Sequence, residues 1–366
     1  MQHFHRRITL VLVAVIIASA TLTRSGYGAS ETTSLSSFDG NTGWINSQPL
    51  TPESLRGKVV LVDFWEYTCI NCLRTLPYLR EWYSRYQNDG FVIVGVHTNE
   101  FGFSGVNQNV NDAVKRLGIT WPVVLDPNNA VWNRYGTNAW PTEYLFDQHG
   151  QLVDVEHGEG NYQTTEAKIQ SLLKVGNPNL HLPDLMALLP QDNYTKPGAV
   201  CYPMTPEIFV GPWRGQVIAN APAFHDTNGG DTNYDDSHAN HEPGQLYLQG
   251  YWHTSADGQA MVSGGNNGYL SMDYQAIQVM VIMKPESGKA ARVNVTQDGQ
   301  PVAHQDAGKD LSYDANGASY VMVDAPRAYD VLDNAHFNKH ELKLFPQQYG
   351  VGIYDFAFES CEVPKS

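Results

Sequence analysis

The sequence predicts an α/β domain built on a mixed sheet with helices on both faces, followed by an all-β jelly-roll or β-sandwich domain. Three observations carry this expectation. Strand-like and helix-like periods alternate from Leu50 to about Val175, as in a layered α/β domain. The segment "GNPNLHLPDLMALLPQDNYTKPG", rich in Pro and Asn, then interrupts the pattern and reads as a linker. Beyond Cys201 only short alternating or β-branched segments occur, separated by Gly, Asn and Pro turns. A chain of 366 residues is also long for a single core. The boundaries expected are 1–29 for a signal peptide or N-terminal anchor, 30–178 for the α/β domain, 179–198 for the linker and 199–366 for the all-β domain.

Each element has its own warrant. Arg6 and Arg7 precede a nearly unbroken apolar run from Ile8 to Leu22, and small residues follow, with cleavage expected after Ala20, Gly28 or Ala29. The run is short for a bilayer span. It reads as an export signal, with an uncleaved anchor as the alternative, and either places the folded part outside the cytoplasm. Residues 30–48 form a polar tail with a short edge element. "KVVLVDFW" and "FVIVGVHT" are continuous apolar runs expected of buried strands, and "WPVVLD" is a third. After Cys72, Leu76, Leu79, Tyr83 and Tyr86 recur at helical spacing and stop near Gly90. "VNQNVNDAVKRLG" and "NAVWNRYG" read as short helices, "TEYLFD" and "QLVDVEHG" as a hairpin about "QHG", and "TTEAKIQSLLKV" as a final amphipathic helix. In the second domain "GQLYLQGYWHT", "AMVSGG", "AIQVMVIMKP", "ARVNVTQDGQPV", "SYVMVDAPRAYDVL", "HELKLFP" and "GVGIYDFAFESC" read as strands.

Composition narrows the function. A net charge of -15 repels phosphate backbones, so nucleic acid is not an expected partner. No Walker-type Gly-rich loop precedes a helix, and no nucleotide or other cofactor is expected. The four cysteines are Cys69, Cys72, Cys201 and Cys361, and export would permit disulfides among them.

The Cys-x-x-Cys of "FWEYTCINCLRTLPYL" admits three chemistries: a metal site, a structural disulfide or a redox pair. Zinc wants four ligands, and no second Cys or His pair at ligand spacing lies in the first domain, so no metal is assigned. The redox reading has a positive argument. Cys69 falls at a strand-to-helix junction, where unpaired N–H groups and the helix dipole favour a thiolate. Cys72, one turn on, is placed to resolve a mixed disulfide. Asp63, six residues before Cys69 in an apolar strand, is a candidate proton acceptor for Cys72. Pro141 opens the strand of "AWPTEYLFD" and is compatible with a cis bond beside the cysteines or with an ordinary turn.

These residues carry a family resemblance. "GKVVLVDFW", the Cys-x-x-Cys, Pro77 within the following helix, "WPVVLD" and the proline of "WPTEYLFD" resemble a thioredoxin-fold domain of the TlpA type over residues 40–176. "YTCINCLRTLPYL" with "VGVHTNEF" is similar to the C-terminal region of DipZ-type proteins, which join such a domain to a β-sandwich resembling carbohydrate-binding modules. "TPEIFVG", "VTQDGQPV", "RAYDVL" and "GVGIYDFAFES" extend the likeness through the second domain. The resemblance implies that Cys69 and Cys72 are the redox pair, that Pro141 is cis, that Asp63 takes the place of thioredoxin's buried acid, and that Glu100 stands where TlpA-type proteins carry a functional acid. It implies a thiol–disulfide oxidoreductase acting on disulfide-containing proteins. DipZ-type proteins also carry a multi-span membrane electron carrier. None is seen in this sequence, so a separate membrane or periplasmic redox partner is expected.

Peroxiredoxins share the fold but place a Thr three residues before the reactive cysteine, where this chain has Glu66, so a peroxidase is disfavoured. Ile70 and Asn71, between the cysteines, supply no cation to stabilise a thiolate, which leans towards a reductant. Cys201 and Cys361 flank the β-sandwich, and a disulfide between them is favoured over two free thiols. The acidic loop with Asp226, Asp231, Asp235, Asp236, His238, His241 and Glu242 lacks EF-hand spacing and reads as solvated. Tyr247, Tyr251 and Trp252 read as core before they read as a glycan platform. A glycan or cell-envelope ligand of this domain stands as a further expectation. The rival to the enzyme is an envelope-binding protein that uses the first domain only as a scaffold.

Overall fold

A computed structural model describes residues 33–214, 218–220, 230–237, 240–265 and 267–364. The apolar segment at 8–22, with Asp226 and His238 of the acidic loop, lies outside them. No helix among the described residues is long and apolar enough to cross a membrane.

The first domain is ordered β1 (Gly43–Ile45), β2 (Val59–Trp65), α1 (Ile70–Tyr86), β3 (Phe91–His97), α2 (Asn107–Arg116), β4 (Val123–Leu125), α3 (Ala130–Tyr135), β5 (Thr142–Phe146), β6 (Leu152–His157) and α4 (Tyr162–Gly176). Its six strands lie in the order β1-β4-β3-β2-β5-β6. β2, β3 and β4 are parallel, whereas β1, β5 and β6 run antiparallel to their neighbours. This is the thioredoxin arrangement, and it explains why β2 is apolar at every position but Asp63: covered on both faces and both edges, it has no solvent side. Alternation sorts its residues between two cores. Val59, Leu61 and Trp65 meet Cys72, Leu76 and Leu79 of α1, together with side chains of α2 and α4. Val60, Val62 and Phe64 meet Val131 and Tyr135 of α3. Asp63 therefore belongs to the α1 face.

α1 is held at both ends. Cys69 caps its start, and the chain leaves it through a 3-10 turn to Gly90, whose φ of 98° suits only glycine without strain. Pro77 sits inside the helix. The segment after α4 is no bare tether. Leu180, Leu182, Met186, Leu188 and Leu189 pack against the α1 core, and Asp192 accepts a 2.7 Å hydrogen bond from Tyr78.

The second domain is all β, with a core drawn from the whole region. Eleven of its strands share one hydrogen-bonded network that closes on itself. The first half of the Tyr269–Pro285 strand pairs with Leu246–Thr254, and its second half with Val351–Glu359; the Arg327–Pro346 strand accompanies it throughout. Sequence patterning divides Arg327–Pro346 at "DNAHFNK". In fact it is one 20-residue strand, in whose polar middle His336, Asn338 and Lys339 are exposed while Asn334 is buried, and its pairing with Tyr269–Pro285 shifts register beside Ala276. "AIQVMVIMKP" likewise begins earlier than its apolar run, at Tyr269.

The domains meet through an aromatic contact. Phe101 and Phe103, from the loop after β3, pack on Tyr354 at 5.6 and 4.8 Å between ring centroids. The Gly102 N–H donates to the Gln259 side chain at 2.6 Å.

Candidate active site

β2 ends at Trp65, and the four residues to Cys69 turn the chain into α1. Cys69 and Cys72 are joined as a disulfide. Cys69 is half-buried, whereas Cys72 is 0% exposed beneath it. The Cys69 sulfur is the helix cap: it accepts the Cys72 N–H at 3.2 Å. That donor and the helix dipole would stabilise a thiolate at Cys69 after reduction, and among the described residues no such donor reaches the Cys72 sulfur, which faces the core.

The Trp140–Pro141 peptide is cis. Its position is braced from two sides. The Trp140 indole N–H donates to the Thr98 hydroxyl at 2.8 Å, and the Pro141 carbonyl accepts the Gly158 N–H at 2.8 Å. Trp140 and Cys69 both border the α1 core.

Asp63 is fully buried, and neither carboxylate oxygen has a hydrogen-bond partner among the described residues. Burial pushes its pKa from 3.8 up to about 7. Directly opposite on β5 is Glu143, only 6% exposed. Burial, then Asp63, then Glu156 and Asp154 push the Glu143 pKa well up. Glu143 in turn faces Glu156 on β6, and Lys168 binds Asp154 and Glu156 at 2.5 and 3.6 Å. Three carboxyls thus form a cross-strand row from beneath α1 to the surface. Two buried neighbours in such a row cannot both ionise cheaply, so at neutral pH a proton stays with them.

Glu100 is turned towards the second domain. It accepts a 2.7 Å ion pair from Arg214, whose guanidinium also covers Phe209. Burial raises its pKa to about 7, with Glu66 adding to the rise and Arg214 opposing it.

Four residues escaped the sequence reading as parts of this site. Glu66 entered it only as a mismatch to the peroxiredoxin pattern, yet its carboxylate accepts the N–H of Cys69 at 3.1 Å, together with the N–H and hydroxyl of Thr68. His97 stacks on Tyr67, and its Nε2 lies 3.8 Å from Glu66; burial lowers its pKa to about 3, so it is neutral. Glu143 was visible only as an acid within an apolar strand. Arg74, two residues past Cys72, gathers Glu159, Asp192 and Glu359, and so ties the linker and the second domain to the redox helix.

Cys201 and Cys361 lie opposite one another in a short antiparallel pair and are joined as a disulfide spanning 160 residues. The acidic loop is tied down where described: Asp231 contacts His253 at 2.8 Å, and Asp236 pairs with His241 and accepts from Tyr269. His241, Asp273 and Glu341 converge nearby, but Lys339 and Lys343 already neutralise the two acids. Trp252 and Tyr247 are core residues, at 0% and 3% exposed, leaving Tyr251 as the exposed aromatic of the three.

The fold, the capped cysteine pair and the cis-proline loop define a thioredoxin-fold domain with a redox-capable cysteine pair. Residues 39–173 match the Redoxin family model, and 205–358 match the thioredoxin like C-terminal domain. More particularly, the resemblance to DipZ-type proteins is borne out: the chain is 34% identical over 328 residues to Protein DipZ of Mycobacterium tuberculosis, covering 87% of this chain and 42% of that protein. The chain thus spans less than half the length of that relative. It is also 32% identical over 117 residues to the thiol-disulfide oxidoreductase ResA of Geobacillus thermodenitrificans, covering 32% of this chain and 64% of ResA. Among solved structures, a putative thiol:disulfide interchange protein DsbE from Chlorobium tepidum aligns with a TM-score of 0.34 at 19% identity, over 39% of this chain and 99% of that one. What this chain shares with these relatives is the thioredoxin-like domain with its Cys69–Cys72 pair and, with DipZ, the domain that follows it.

Proposed function

We propose that this protein is an exported thiol–disulfide oxidoreductase that reduces disulfides in protein substrates. The observation that carries the reading is the asymmetry of the pair: Cys69 is accessible and capped by a helix N–H, while Cys72 is sealed below it. In the reduced enzyme the Cys69 thiolate attacks one sulfur of a substrate disulfide. A Cys69–substrate disulfide forms, and the displaced substrate thiolate takes a proton from water. Cys72 passes its proton to Asp63, the fully buried acid on the α1 face of β2, and attacks the Cys69 sulfur. The mixed disulfide breaks, the second substrate sulfur leaves and is protonated, and the pair is left oxidised. Two electrons have moved to the substrate, and a dithiol reductant restores them to the pair. Pro141 and Trp140 wall the groove in which the substrate chain lies.

The reducing direction is supported by Ile70–Asn71, which place no cation beside Cys69. Export is supported by the basic pair Arg6–Arg7 ahead of the apolar run. The second domain, clamped to α1 through Arg74, is read as the substrate- or envelope-recruiting part, and Glu100–Arg214 as an interdomain tie at the rim of the site.

Insulin-disulfide reduction by the unaltered protein, lost in Cys69→Ser, is the expected result. Equal rates in the two would overturn the enzyme reading in favour of a binding protein with an inert scaffold. A Cys72→Ser variant should retain substrates and the electron donor as stable mixed disulfides on Cys69. A measured potential near that of strong periplasmic oxidants, about -120 mV, would reverse the direction.

A further inference from the structure

Glu66 occupies an unusual place. It is 0% exposed, between the end of β2 and the start of α1, and one carboxylate oxygen receives three donors: the Thr68 N–H, the Thr68 hydroxyl and, at 3.1 Å, the N–H of Cys69 itself. No Lys or Arg pairs with it among the described residues. The groups facing it are neutral His97 from β3, 3.8 Å from its second oxygen, Tyr67 stacked on that imidazole, and Glu100 from the loop after β3, whose charge acts in the same sense.

We propose that Glu66 is a positioning residue that sets the redox potential of the Cys69–Cys72 pair, by holding a carboxylate on the backbone of the sulfur that must become a thiolate. A negative charge this close, itself sealed from water, disfavours the Cys69 thiolate. The thiolate is what stabilises the reduced form of such pairs, so disfavouring it makes the dithiol yield its electrons more readily. The single helix donor from Cys72 and the Glu66 charge act on the same sulfur in opposite directions. Glu66 also keeps the Thr68–Cys69 turn in shape, since its oxygen takes donors that would otherwise be buried unpaired. Burial raises the Glu66 pKa against the pull of its Thr68 and Cys69 hydrogen bonds, so its influence grows as pH rises and it ionises.

The inference deepens the proposed reaction and rests on Cys69 being the attacking thiol. The potential of the unaltered protein tests the direction of electron flow; the change on substitution at Glu66 tests this inference alone. Glutathione-equilibrium potentials should be measured for the unaltered full chain, Glu66→Gln, Glu66→Thr and Glu66→Asp. Gln and Thr keep an acceptor for the turn but remove the charge. A tenfold shift towards the reduced form is expected for both, equivalent to about +30 mV, with faster alkylation of Cys69 at pH 6. Glu66→Asp, which keeps the charge, should stay near the unaltered value. Unchanged potentials in Gln and Thr, or the same shift in all three, would overturn the proposal. A readout that leaves Glu66 in place guards against misfolded variants: in a Cys72→Ser background, Cys69 alkylation against pH should follow two ionisations, and a single one would equally overturn it.

Discussion

Replacing Asp63 by asparagine should make this protein less active, and should stabilise it at pH 8 while leaving its stability little changed or slightly lower at pH 5. Asp63 is fully buried with both oxygens unpaired, and its pKa stands at about 7 against an ordinary 3.8. That gap corresponds to roughly 4 kcal/mol against the ionised form. A carboxyl whose folded-state pKa is raised favours the folded state at low pH, and that contribution is lost as pH rises through about 7. At pH 8 the charge therefore costs the fold its full roughly 4 kcal/mol, and at pH 5 only roughly 1.5 kcal/mol. The asparagine amide remains buried without partners, which takes a similar 1–3 kcal/mol from the gain at both pH values. The difference between them, roughly 2–3 kcal/mol, should survive, and Glu143 adds to it by losing a repulsive neighbour. Urea unfolding of the oxidised protein and of Asp63→Asn at pH 5 and 8 measures this directly, with insulin reduction assayed alongside. A gain of equal size at both pH values would refute the argument that a titrating buried carboxyl is the cause. Undiminished reductase activity would refute the role of Asp63 as the acceptor of the Cys72 proton.

Other perturbations probe the scaffold. Cys361→Ser opens a loop of 160 residues and should destabilise the second domain by about 2–5 kcal/mol in denaturant while leaving Cys69–Cys72 exchange intact. Arg74→Met strands Glu159, Asp192 and Glu359; a loss of about 3–5 kcal/mol is expected, together with faster proteolytic cutting between residues 177 and 199. Tyr354→Ala empties the site against Phe101 and Phe103 and should cost about 3–5 kcal/mol, read as the two domains unfolding in separate transitions.

Much of the first domain was legible in the chain because its signals are local. An unbroken apolar run means a strand covered on both faces, and a helical period that starts at a Cys-x-x-Cys puts one sulfur on the cap and the other a turn inward. Those rules reach from β2 through α4 and place Cys69, Cys72, Asp63 and Pro141 without long-range information. The second domain was less legible where local polarity and pairing disagree: "DNAHFNK" looks like a break, but partner strands hold it extended.

What the sequence determined by itself is the chemistry at hand: a redox-capable cysteine pair at a strand-to-helix junction, a buried acid upstream, a strand-opening proline, and a second all-β domain. What only the tertiary structure decided is the company those groups keep. Asp63 meets Glu143 because β2 and β5, 80 positions apart, lie side by side in antiparallel register. Arg74 binds Glu359 because the last long strand of the second domain returns to α1. Glu66 reaches the Cys69 N–H because the turn after β2 folds back on itself and seals the carboxylate from water. Each depends on the path of the backbone through space, to which residue type and spacing are blind, and the low dielectric that path creates is what turns ordinary acids into groups able to govern a thiol.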